Sequence, residues 1–337
     1  MNSMEINITQ KQIYYRLIAL WVVCEAFAGG IMHGIKIPFS GLIISSLAML
    51  CIMLIAYNIS YKTAIIKATL IVAIFKFMLS PHSPGTAYIA VFFQGCMGQL
   101  LFANKKYFSI AAIILGILGA VESGIQRLLV LVIVYGNEFW KGVNQFIQKI
   151  TGEKSVTNYS LVLAIGYIII HAFVGLLIGI YGAKIAKNAV QWKSKYPNLI
   201  LNNKDDYKDG PNDIKQKKRK NWRIVFLICW AILIISYFNP GTFSFNKIML
   251  KNDIVRILVR SVFIIITWLY VISPLVTKWL KKSLAHKRIK HQEVIATVTE
   301  LLPDVKAVFK GSWKTAAEKN GIKRWKLFIK TLVVNTI

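Results

Sequence analysis

The sequence predicts an all-α polytopic membrane bundle of about eight transmembrane helices, finished by amphipathic C-terminal helices on the cytoplasmic side. Three observations predict it. Of the 337 residues, 55% are hydrophobic and the mean hydropathy is +0.53, far beyond what the core of a soluble domain requires. The apolar residues gather into runs of about 20, the length that crosses hydrocarbon as a helix. The charge, 42 Lys and Arg against 14 Asp and Glu, collects in the polar connections between those runs.

Six runs come first, near 17–34, 38–57, 61–80, 86–103, 107–135 and 159–183. A charged stretch follows at 187–221, with Asp, Asn, Gly and Pro at its centre, which reads as a linker. Two further runs, 222–239 and 255–277, precede the tail. The chain thus divides into a six-helix module (1–186), a basic cytoplasmic linker (187–221), and a C-terminal part (222–337) of two spans plus tail. Loop charge sets the orientation. Loop 184–223 holds 12 Lys and Arg and the tail 278–330 holds 14, so both are expected in the cytoplasm, as are the N-terminus and C-terminus, in a cell membrane of bacterial type. The net charge of +28 then matches cytoplasmic loops facing anionic membrane lipids and does not call for nucleic acid. Cys24, Cys51, Cys96 and Cys229 lie inside apolar runs without paired short spacing; neither disulfides nor zinc are expected of them. The polar start and long first run carry no clear cleavage site, so the first helix is expected to remain.

In the tail, Val294, Val298, Leu301, Val305, Val308 and Phe309 recur at helical steps while Lys306, Lys310 and Lys314 form another row. Pro303 marks a kink or a fresh start. Gly321 is placed to stop the helix before a second basic amphipathic segment. Such helices lie on the inner leaflet or set their apolar face into a partner's groove.

Ionisable groups at bilayer depth are costly unless paired or facing a cavity. Glu25 falls within the first run, and Glu122, Gln126 and Arg127 within the fifth. Glu122 and Gln126 share a face, with Arg127 about 140° further round. Two arrangements satisfy them: pairing within the bundle, Glu25 or Glu122 with Arg127, or a substrate site. In the second, Arg127 meets an anionic or polar solute, Gln94 and Glu122 supply hydrogen bonds, and Tyr88 and Trp140 stack on a ring. His33 and His82 sit in two outer loops of the same mouth. They suggest a transition-metal importer as an alternative, although no third ligand lies at suitable spacing and no metal site is expected. Ala26 and Gly30 form a small-xxx-small pair for close helix packing.

The stretch "ELLPDVKAVFKGSWKTAAEKNGIKRWKLFIKTLVV" resembles the coupling-helix region of the transmembrane T component of energy-coupling-factor (ECF) transporters, through Leu302-Pro303, the helix from Asp304, and Ala317 to Gly321. The family carries Arg just before the Gly, where this chain reads Lys319-Asn320-Gly321. The six N-terminal runs are similar in architecture to the substrate-binding S component of the same class. The resemblance implies a fused membrane subunit of an ATP-driven importer of a small organic, vitamin-like solute. It also implies contact with cytoplasmic ATP-binding-cassette ATPase subunits through Leu302, Pro303, Lys314, Ala317, Lys319 and Gly321. The chain lacks G-x-x-x-x-G-K-[ST], H-E-x-x-H and G-x-S-x-G. It is therefore expected to be no enzyme and to bind no cofactor, ATP acting through the partner ATPases. A membrane scaffold or assembly protein that transports nothing is the other class to weigh.

Overall fold

A computed structural model describes residues 3–28, 40–80, 85–152, 158–201 and 253–337. The first run of the C-terminal part expected at 222–239, most of the linker, and Gly30, His33 and His82 lie outside the described residues. No strand occurs among those described.

Helix α1 (Ser3–Val22) begins in the polar lead, well before the first apolar run, and continues as a π-helix, Val23–Ala28. There follow α2 (Ser40–Asn58), α3 (Ala64–Leu79), α4 (Gly85–Leu101), α5 (Phe108–Thr151) and α6 (Tyr159–Lys195). The last two outrun their apolar runs. Helix α5 passes a kink at Gly136, where φ is 72° and only glycine is at ease, and carries helical structure into what the sequence marks as a loop. Helix α6 continues through the first residues of the expected linker to Lys195, because "KNAVQWKSK" contains no helix breaker before Pro197. After the linker come α7 (Asp253–Thr267), a π-helical stretch Trp268–Ile272, α8 (Ser273–Lys290), α9 (Gln292–Thr315) and α10 (Gly321–Thr336).

Among the described residues, three helices are long and apolar enough to cross a membrane, over Gly41–Asn58, Lys105–Gly136 and Tyr159–Lys195. Large apolar side chains on α6, among them Leu161, Val162, Ile169, Ile170 and Phe173, are exposed, as expected of a helix whose solvent is lipid. Helices α3 and α4, of 16 and 17 residues, fall short of the usual spanning length of about 20 residues.

The described chain forms two compact units. The first takes in 1–123, 171–213 and 283–337; the second 124–170 and 214–282. The core of the first unit is built by α1 to α4 with Leu17, Ile18, Trp21, Met49, Ile52, Met53, Ile55 and Phe75 almost fully covered. Tyr14 ties α1 to α3 by donating to the Ala64 carbonyl at 2.8 Å, and burial pushes its phenol above the ordinary range. Helices α5 and α6 meet through glycine: a Cβ on Gly175 or Gly179 would run into the backbone of α5 around Ile113, Gly116 and Ile117. G-x-x-x-G spacing at 175–179 is the sequence cause.

The tail is integral to this unit. Helix α9 packs along α1, and α10 packs on both. Ile295, Val298, Leu302, Val305 and Val308 join the common core, so the apolar stripe is covered by the chain's own first helix, neither lying on lipid nor left for a partner. Helix α9 runs through Pro303 without a break. Its end is sealed by an aromatic cluster in which Phe309, Trp313 and Trp325 each approach Phe328 edge-on at 5.2–5.9 Å. Gly321, at φ 58°, sits in the turn that starts α10 and does not cap α9. Helix α10 closes on the end of α6: Asn335 bonds the backbone of Leu199 and Leu201, and Lys330 lies 3.6 Å from the Tyr196 ring centroid.

In the second unit Asn144 and Asn158 hold the start of α6. Asn144 Oδ1 accepts from the Ser160 amide at 2.6 Å, and Asn158 Oδ1 accepts from Ser160 Oγ and Asn144 Nδ2.

Candidate functional site

The chemistry of the first unit centres on a buried ion pair. Glu25 stands in the π-helical continuation of α1 and Lys76 near the end of α3; Lys76 Nζ lies 2.5 Å from Glu25 Oε2, with the side chains 6% and 4% exposed. The run "IVAIFKFML" places Lys76 seven residues after Thr69, the same face of α3, which looks into the bundle. Lys76 also donates to the Ala87 carbonyl at 3.4 Å and lies 5.9 Å from the Tyr88 ring centroid. Ser80 donates to the Ala26 carbonyl at 3.0 Å, fixing the end of α3 against the π-helix.

Helix α4 supplies the other wall. Tyr88, Val91, Gln94, Gly95 and Gly98 are its buried face. Gly95 is there because a side chain would collide with Thr69 of α3. Gln94 Nε2 donates to Ser45 Oγ at 2.5 Å, and Ser45 in turn donates to the Gly119 carbonyl at 3.4 Å, so α2, α4 and α5 are joined by one chain of hydrogen bonds. The Tyr88 hydroxyl, Gln94 Oε1 and Trp21 Nε1 are among the buried polar atoms that find no hydrogen-bond partner among the described residues. Each such atom costs about 1–3 kcal/mol, which a bundle with no use for them would avoid by carrying Phe or Leu.

The sequence-predicted residues are distributed unevenly around this centre. Gln94 and Tyr88 belong to it. Glu122 is half-buried on α5 in the first unit, whereas Arg127 is exposed and, with half-buried Trp140, belongs to the second unit. Glu25 pairs with Lys76, not with Arg127. Ala26 is buried. Of the tail residues, Leu302 is buried in the core, while Pro303, Lys314, Ala317, Lys319 and Gly321 are exposed. Sequence reasoning missed Lys76, Ser45 and Trp21. For Lys76 the signal was present, a cation deep in an apolar run that carries Lys67 nine residues earlier.

These features define a helical membrane-type protein with a buried, charge-paired polar centre. No family model, curated protein or solved structure matches this chain.

Proposed function

We propose that the chain is a membrane subunit of an ATP-driven importer: it takes a small polar organic solute into the first unit and draws on separate cytoplasmic ATPases at the exposed turn 313–321. In this reading eight spans place both termini in the cytoplasm. The observation that carries it is the tail. Helix α9 is packed along α1, the helix that leads into Glu25, and its other end offers Lys314, Ala317, Lys319 and Gly321 to solvent. A push on that turn reaches the buried centre through packed helices. The resemblance to the coupling region of ECF transporters supports the same contact, with Lys319 supplying the positive charge as a point charge in place of a planar fork.

The test is co-purification from the membranes of the chain's own host, wild type beside a Lys314→Glu/Lys319→Glu variant, with bound proteins identified by mass spectrometry. Both residues are exposed. A P-loop ATPase that accompanies the wild type and is lost from the variant supports the importer. Its absence from both removes the motor. A second reading, a membrane scaffold without transport, is favoured by the self-satisfied Glu25–Lys76 pair; it expects co-purifying membrane proteins and no ATPase.

A further inference from the structure

We propose that Glu25, Lys76 and Tyr88 form a binding site for a small zwitterionic solute, one carrying an ammonium and a carboxylate, with Trp21 and Gln94 as hydrogen-bonding walls. The proposal rests on the solute-handling reading above and names the class of solute.

The first argument is charge. Glu25 and Lys76 sum to zero and sit at 4–6% exposure. A ligand of net charge would leave that charge uncompensated in a low-dielectric interior, whereas a zwitterion exchanges one neutral pair for two, carboxylate to Lys76 and ammonium to Glu25.

The second is the set of unpartnered atoms. The Tyr88 ring lies 5.9 Å from Lys76 Nζ, and its buried hydroxyl, which has no hydrogen-bond partner among the described residues, would donate to a carboxylate held by that ammonium. Trp21 lies four residues before Glu25 in the chain, and its indole N–H is likewise buried and without a partner among the described residues. Gln94 Oε1 is a buried acceptor standing six residues, about 9 Å, beyond Tyr88 along α4. That distance suits the far end of an amino-acid side chain. One ionic end and one neutral end thus look for different parts of a single molecule.

The third is the backbone at Glu25. Val23–Ala28 is π-helical, a wider and less stable winding that recurs where helices serve function. Rewinding these residues toward α-helical geometry turns the Glu25 carboxylate away from Lys76 without unfolding α1, the movement a ligand entering between the two charges requires.

The experiment uses the full chain, purified and placed in lipid nanodiscs, with the thermal unfolding midpoint read by tryptophan fluorescence. Free L-amino acids are added at millimolar concentration, beside their methyl esters (net positive) and N-acetyl derivatives (net negative). At least one free amino acid is expected to raise the midpoint, and neither blocked form to do so. Tyr88→Phe removes a hydroxyl that has no partner among the described residues, so its unliganded midpoint is expected to stay level or rise while its affinity for the amino acid falls at least tenfold. Glu25→Gln/Lys76→Met removes both charges together and abolishes the shift; should that variant not fold, Tyr88→Phe decides. The proposal is overturned if no amino acid shifts the wild type, if the charged derivatives act equally well, or if Tyr88→Phe binds as the wild type does. No ATPase takes part, so binding without ATPase recruitment sinks the importer alone, and recruitment without binding sinks this site alone.

Discussion

Lys76 stands inside an apolar run and is nevertheless 5% exposed; its ion pair with Glu25 makes that tolerable. Removing one member of a buried pair leaves the other uncompensated, so Lys76→Met is expected to destabilise the first unit by about 3–5 kcal/mol, while Glu25→Gln/Lys76→Met is close to neutral. Unfolding by SDS titration in mixed micelles checks both, and equal losses in the two variants would mean the pair has no coupling. Tyr196 offers a pH test away from the spans. A hydrogen bond from Lys330 and the nearby ammonium charge hold its phenol below the usual range. A depressed acid stabilises the fold only above its unfolded pKa, and that contribution is lost as pH falls through the folded value. Near neutrality the contact is therefore silent; it shows only in alkali. Ultraviolet titration is expected to find one tyrosine ionising early, and Lys330→Met to return it to the others. At this scale the sequence was readable in part. Glu25 announces itself as a costly ion, but helical periodicity says which face a residue occupies and not which neighbouring helix meets it, so Arg127 and Lys76 were equally eligible partners.

Among the elements, the existence of α1 to α6 was legible because each apolar run is long and bounded by polar residues or Pro and Gly. Their ends were less so. Helix α6 runs on to Lys195 because polarity alone does not stop a helix. The amphipathic pattern of α9 was also plain, and its occupant was not: an apolar stripe looks the same whether it covers lipid, a partner or the chain's own α1. Pro303 sits inside α9 and exposed, leaving the Thr299 carbonyl without its usual helical donor. Pro303→Ala is expected to raise stability by up to about 3 kcal/mol, read as a higher thermal midpoint; a fall would show that the proline shapes α9 to fit α1. The α5–α6 crossing is the converse case. Gly179→Leu has no room against the backbone of α5 at Ala112 and Ile113, and size-exclusion chromatography in detergent is expected to show aggregated material where wild type elutes as one peak.

For the whole molecule, the two ends of the sequence meet in one unit: residues 283–337 share a core with residues 1–123. A chain ending at Lys290 loses the buried stripe of α9, each fully covered Val, Leu or Ile of which is worth about 1.5–3 kcal/mol, and is expected to yield no monodisperse protein. A peripheral tail would leave the truncated chain intact. Linear order in the sequence suggested an N-terminal six-helix module followed by a linker and a C-terminal part, and local pattern does not reveal that the tail packs on the first helix. In the proposed importer, that return is the route by which an event at the exposed turn would reach the buried charges.

The most direct measurement is the ATPase rate of the complex purified from host membranes and placed in nanodiscs, with and without free L-amino acids, for wild type and Tyr88→Phe. The importer with a zwitterion site predicts a rate that changes several-fold with one or a few amino acids in the wild type and far less in the variant. A complex without ATPase activity, or one whose rate no amino acid alters, would contradict it.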